Sequence, residues 1–358
     1  MAGLRFHSRF LVLCAILLIL TRCHGQLCLP EKHIALFVFG DSLYDVGNNN
    51  YINTNSDYRS NVWPYGETTF KYPTGRFSDG RIIPDFIAEY AKLPLISPYL
   101  NPAYRQYADG ANFASAGAGA LVGTNRGFVV DLQTQLSYFK NLIGMLRRKL
   151  GDTDARALLG RAVYLFSTGI NDYLAPAATN SSWFLSYSQE DYVDMVVDAR
   201  YLLILIAYFR AKEIHKNGGR KFGFQSLPPV GSLPSRRAVN HGAATEEAIA
   251  RVILHNKVLP KVLVKLERKQ LKGFRYSMAN MVQGREDRML WNCPYRGINS
   301  CGGRRSVKEY ELCDDPKEYV FFDSAHPSQT AHEQLAKLTW SGTPIHTGTY
   351  NLKAMFQL

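Results

Sequence analysis

The sequence predicts a three-layer α/β/α sandwich on a mainly parallel sheet, and two observations carry that expectation. Apolar runs of strand length alternate with longer helical stretches, an order that puts helices on both faces of a parallel sheet. The first such run, Ile34-Ala35-Leu36-Phe37-Val38-Phe39, ends directly in Gly40-Asp41-Ser42-Leu43. That is a strand running into a tight turn at the carboxyl edge, where open α/β sheets collect their ligands. A chain of 358 residues with 46% hydrophobic content can bury a large core, and no linker divides it, so residues 26–358 read as one domain.

Strands are expected at 34–39, 162–167, 220–225 and 274–279, and helices at 78–91, 132–150, 189–217, 244–268 and 327–338. Ser188-Gln189-Glu190-Asp191 gives the third helix a capping-box-like start, and Gly218-Gly219 gives it a stop. Tyr201 to Phe209 is apolar but short and bracketed by Arg200 and Arg210, which suits a helix buried in the domain and not a membrane span. Gly117-Ala118-Gly119 lacks the spacing of a dinucleotide fingerprint. No cofactor is expected.

The chemistry starts from Ser42. A serine hydroxyl needs a base within hydrogen-bond reach and a group that holds the base in one tautomer. Asp323-Ser324-Ala325-His326 supplies both types, and its spacing puts carboxylate and imidazole on one side of a single turn. Oxyanion donors are the remaining requirement. The small-residue run Gly110 to Gly119 lets backbone N–H groups approach a substrate closely, and Gly169-Ile170-Asn171-Asp172, after a strand-like run, offers an amide side chain. Alone, each segment also fits a turn, a packing site or a helix entry.

Taken in order, these segments make the chain resemble the GDSL esterase/lipase family, the SGNH hydrolases, and its plant secreted branch in particular. The likeness runs from about Ile34 to the C-terminus. It includes Phe37 to Asn50, Trp63-Pro64-Tyr65-Gly66, Gly75-Arg76-Phe77-Ser78-Asp79-Gly80-Arg81 and Leu227-Pro228-Pro229-Val230-Gly231. The resemblance implies a flavodoxin-like SGNH fold and a carboxylic ester hydrolase working through an acyl-enzyme. Ser42 is then the nucleophile, with Asp323 and His326 completing the triad. The oxyanion hole takes the Ser42 N–H, the Asn171 amide and a glycine N–H, Gly119 in preference to Gly117. Asp41 shapes the turn. An acyltransferase using the same residues and a non-catalytic secreted binding protein are the alternatives.

Family members of this type act on lipids, acetylated sugars, cutin precursors and small phenolic esters. The choice among such substrates lies in loops such as 51–77. There Tyr51, Tyr58, Trp63, Tyr65, Phe70 and Tyr72 either form an apolar rim or pack the loop onto the domain. The chain departs from its relatives in cysteine content: Ser232 stands where many have a cysteine, and the stretches 235–243 and 285–295 look shortened.

Arg5 and Arg9 precede the apolar stretch Phe10 to Leu20, and Gly25 follows. This pattern is a signal peptide with cleavage near residue 25; an uncleaved anchor is the alternative, and the apolar centre is short of the roughly 20 residues that span a bilayer. A secreted, extracellular protein with no stable membrane anchor is expected, with Asn180-Ser181-Ser182 a glycosylation sequon. The mature chain keeps Cys28, Cys293, Cys301 and Cys313, which allow three pairings. Clustering of the last three suggests one short-range bridge, with Cys28 tied to the remaining cysteine. No C-x-x-C pair invites zinc, and no metal is expected. Formal charge is +12. A basic export product suits electrostatic association with acidic cell-wall material. No basic stripe on a recognised module points to nucleic acid. The expected partner is a small-molecule, lipid or polysaccharide ester.

Overall fold

Five short strands form the centre of the protein: β1 (Leu36–Gly40), β2 (Gly110–Asn112), β3 (Val163–Ser167), β4 (Lys221–Gln225) and β5 (Arg275–Ala279). They pair in the order β2-β1-β3-β4-β5, each pairing parallel. The computed structural model describes residues 32–179, 188, 209–238, 243–281, 297–302 and 312–358. The N-terminal segment through residue 31, Asn180, Cys28 and Cys293 therefore lie outside the described residues, as does nearly all of the apolar stretch 201–209.

Parallel register places aromatic side chains side by side on one face of the sheet. Phe39, Phe166 and Phe224 stack in one row, and Phe37, Tyr164, Phe222 and Phe274 in a second, with successive centroids 4.7–5.5 Å apart. Such neighbours contribute beyond the area they bury. Helices α2 (Leu132–Leu150) and α3 (Asp152–Arg161) belong to this face; Phe139 of α2 meets Phe37, Phe39 and Tyr164 edge-on. The opposite face takes α7 (Gln329–Ser341) and α8 (Leu352–Gln357), with α1 (Ile83–Tyr90) packed on α7. Leu352 sits over Gly223 there.

Other described helices are α4 (Ile170–Thr179), α5 (Phe209–Lys216) and α6 (Ala243–Lys265), the last packed on α4, beside single turns at Pro234–Arg237 and Pro344–Thr347. α2 covers its expected span because Asp131 caps it, accepting from the N–H groups of Gln133 and Thr134, and Gly151 leaves it at φ 82°. α5 ends as Gly218-Gly219 implies: the Gly219 N–H returns to the Ile214 carbonyl at 2.9 Å.

α1 starts at Ile83, not at residue 78. Pro84 fits its first turn, and Asp85 accepts the Ile82 N–H at 2.9 Å. Residues 78–82 instead tie to distant chain, Asp79 Oδ1 accepting the N–H of Gln329 at 2.7 Å. β2 was not among the expected strands, since Gly-Ala-Asn has neither the length nor the composition of one. Among the described residues, no helix is long and apolar enough to cross a membrane.

Candidate active site

Strand order reverses between β1 and β3, and ligands of open parallel sheets bind at such a switch point. Ser42 follows β1, and Asn171 opens α4 just after β3. Gly40 is required at the start of this turn: its φ is 139°, and a Cβ would clash with the Ser167 carbonyl of β3. Asp41 turns the chain, its Oδ1 accepting from the Leu43 N–H at 3.1 Å and the Ser167 hydroxyl at 3.3 Å. Burial pushes its carboxyl up to about 7, with Asp172 nearby adding to the effect.

The loop from Asp323 to His326 reaches Ser42 from the far end of the chain. His326 Nε2 lies 2.8 Å from Ser42 Oγ, and His326 Nδ1 lies 2.8 Å from both oxygens of Asp323. Asp323 Oδ1 also accepts the N–H groups of Ala325 and His326, at 2.8 and 2.7 Å, which folds the four residues into one tight turn. With the carboxylate at Nδ1, the proton of neutral His326 belongs on that nitrogen, leaving Nε2 to accept from the serine. His332, close enough to His326 and Asp323 to interact with them electrostatically, is fully buried and held neutral, its pKa pushed down to about 3 by burial.

Neighbouring segments hold this loop in place. Ser235 N–H donates to the Ser324 carbonyl at 3.0 Å, so the turn after Pro228-Pro229 abuts it. Cys301 and Cys313 form the expected short-range disulfide. The Gly302 N–H beside Cys301 donates to the Phe322 carbonyl, adjacent to Asp323.

Among the expected oxyanion donors, Asn171 Nδ2 donates to the Ala118 carbonyl at 3.0 Å. This bond fixes the amide and leaves its second N–H. Gly169-Ile170-Asn171-Asp172 is thus a turn into a helix, beyond the loop its residues suggest. Asp172, fully buried, accepts from the N–H groups of Ala120 and Leu121 and from the Thr124 hydroxyl, at 2.6–2.9 Å. Gly119 packs directly against that carboxylate, where a Cβ would not fit; Gly117, at φ 84°, lies under the Tyr58 ring. Among the described residues, the N–H groups of Ser42, Gly117 and Gly119 have no hydrogen-bond acceptor.

Several supporting residues were not evident in the sequence. Asp45 accepts from Gly47, Asn48 and Ala116 N–H groups. Asn48 donates to the carbonyls of Asn112 and Ala114, and Asn49 to that of Ala116. The stretch Asp45 to Asn49 thereby ties the Ser42 turn to the small-residue run. Tyr65, one of six aromatic residues with two possible roles, is buried and donates to Asp323, whereas Tyr51, Trp63 and Tyr72 are exposed. A polar Gln135 on the core-facing stripe of Leu132, Leu136 and Phe139 was a usable signal of a buried bond.

The fold is an open parallel α/β sheet whose switch point gathers Ser42, His326 and Asp323 within hydrogen-bond distance, and comparison with known proteins gives its family. The sequence model for "GDSL-like Lipase/Acylhydrolase" matches residues 36–339. The chain is 47% identical to "GDSL esterase/lipase 2" of Arabidopsis thaliana, covering 92% of this chain and 91% of that protein. It is 44% identical to "GDSL esterase/lipase 4" of the same plant over the full length of both, and 44% identical to "GDSL lipase" of Tanacetum cinerariifolium, covering 92% and 90%. The chain belongs to the GDSL lipase/acylhydrolase family, and it is a hydrolase acting on esters.

Proposed function

We propose that the protein hydrolyses carboxylic esters through an acyl-enzyme on Ser42, with His326 as general base and acid and Asp323 orienting it. The observation that carries this is the unbroken line from Ser42 Oγ through both imidazole nitrogens to Asp323, with 2.8 Å at each link. Ser42 Oγ attacks the ester carbonyl as His326 Nε2 takes its proton; the developing imidazolium is stabilised by Asp323. The C–O bond to the alcohol breaks as His326 returns the proton to it. Water, deprotonated by the same nitrogen, then attacks the acyl carbon and releases the acid.

The negative oxygen of each tetrahedral intermediate is met by the N–H of Ser42, the free N–H of the Asn171 amide and the N–H of Gly119, or of Gly117 two residues earlier. The unbonded state of these backbone donors and the anchored Asn171 amide support this assignment. A structure with a phosphonate on Ser42 identifies the glycine by which amide lies within hydrogen-bond reach of the phosphonyl oxygen.

The mature domain begins near residue 26 after removal of the 1–25 signal peptide, and the product is secreted, glycosylated at Asn180 and held by acidic cell-wall material. Arg5 and Arg9 before an apolar core, the sequon and a formal charge that stays strongly positive, +12 less the three arginines Arg5, Arg9 and Arg22 of the removed segment, support this part. Expression in a plant cell tests it by N-terminal sequencing of the exported chain and by its mass before and after glycan removal. Hydrolysis of a p-nitrophenyl acyl ester tests the chemistry: Ser42→Ala abolishes turnover, and an unchanged rate refutes the scheme. Ester product formed when glycerol competes with water would reassign the protein to acyl transfer.

A further inference from the structure

Tyr65 belongs to a loop near the start of the domain, yet its phenol ends 2.7 Å from Asp323 Oδ2, a contact across 258 residues of sequence. The ring is 1% exposed. It meets Phe77 and Phe322 edge-on at 5.9 and 5.4 Å, and Phe77 lies against the His326 ring at 4.6 Å. These residues, with Ala116 and the Cys301–Cys313 disulfide, form an apolar cluster of their own beneath the Asp323–His326 loop.

The two oxygens of Asp323 are served from different parts of the chain. Oδ1 takes the N–H groups of its own turn, Ala325 and His326. Oδ2 takes the phenol of Tyr65. Tyr65 is itself fixed without help from that turn: its N–H donates to Val62, Gly66 N–H to Ser78 and Thr68 N–H to Asp79, and Asp79 in turn holds the start of α7 at Gln329. A carboxylate whose side chain is only 5% exposed has little water to replace a lost donor, and a charge-assisted bond is strong enough to set its plane.

Resting on the triad proposed above, we infer that Tyr65 is a positioning residue for the reaction, its phenol locking the Asp323 carboxylate in the plane that presents His326 to Ser42. Packing of the ring alone would need no hydroxyl. The two roles separate cleanly in the Phe and Ala variants.

The experiment measures p-nitrophenyl ester hydrolysis, thermal unfolding and the downfield proton NMR signal of the carboxylate-bound imidazole N–H in the wild type, Tyr65→Phe, Tyr65→Ala and Ser42→Ala. Tyr65→Phe keeps the ring, so KM stays as in the wild type and the thermal midpoint falls less than in Tyr65→Ala, while kcat falls roughly 10-fold and the imidazole signal shifts or broadens. If Tyr65→Phe turns over within twofold of the wild type with an unmoved signal, and only Tyr65→Ala loses activity along with stability, the role is packing and the inference is overturned. Ser42→Ala guards the premise: activity surviving in that variant refutes the triad itself, whereas an inactive Ser42→Ala beside a fully active Tyr65→Phe refutes only the role of the phenol.

Discussion

Gln135 and Gly40 exchange a reciprocal pair of hydrogen bonds: the Gly40 N–H donates to Gln135 Oε1 at 2.9 Å, and Gln135 Nε2 donates to the Gly40 carbonyl at 2.9 Å. Gly40 stands two residues before Ser42, so helix α2 sets the backbone from which the Ser42 side chain projects. Gln135 is fully buried, and Gln135→Leu leaves the Gly40 N–H without a partner in the core. A cost of about 1–3 kcal/mol is expected, read as a lower urea midpoint, with kcat falling as the turn loosens. Wild-type stability in this variant would mean that the bond pair contributes nothing.

Asn171→Ala removes an amide that the Ala118 carbonyl already holds in place. Loss of one oxyanion donor should lower kcat by roughly 10²- to 10³-fold with little change in KM. A change confined to KM would take Asn171 out of the oxyanion hole.

The Cys301–Cys313 bridge closes a short loop whose Gly302 N–H holds the Phe322 carbonyl, next to Asp323. Replacing both cysteines by Ala should destabilise the protein by about 2–4 kcal/mol, and lower kcat at temperatures where the fold is intact, because Asp323 loses its backing. Differential scanning calorimetry beside steady-state kinetics reads both effects. Unaltered kcat in the folded double variant would confine the bridge to stability.

Asp41 makes stability depend on pH in a defined sense. Its ordinary pKa of 3.8 rises to about 7 in the folded protein through burial, so between those values the native state keeps a proton that the unfolded chain has lost. Stability from this group therefore falls as pH rises from 3.8 to about 7. Asp45 and Asp172, raised to about 6, act in the same direction. His255 and His332, lowered from 6.5 to about 3, act oppositely, since the unfolded chain takes up protons that they refuse. The difference between Asp41→Asn and the wild type isolates the one carboxyl: the variant should gain stability relative to the wild type as pH rises across that window. A difference that stays flat with pH would show that Asp41 is ionised in the fold.

The parts of the fold that a sequence can announce are those whose cause is local. β1 and β3 are strands because Leu36 to Phe39 and Val163 to Phe166 are apolar and β-rich, and α2 keeps its expected ends because Asp131 and Gly151 cap it. Ser42 and the Asp323–His326 turn were legible for the same reason. β2 was not, since Gly110-Ala111-Asn112 is a strand only because β1 lies beside it. The roles of Tyr65 and Asp172 were equally hidden: each bonds a partner at least 48 residues away, and no periodicity reports a contact of that range. The pair of buried rings Tyr173 and His255, hydrogen-bonded at 2.9 Å across 82 residues of sequence, belongs to the same class.

In the proposed mechanism Ser42 carries the acyl group and His326 makes it reactive. Mass spectrometry of the protein after brief exposure to a fluorophosphonate tests it most directly. A single adduct is expected on the peptide containing Ser42, formed rapidly in the wild type and at a small fraction of that rate in His326→Ala. An active enzyme that hydrolyses esters while Ser42 stays unlabelled, or labels as fast without His326, would contradict it.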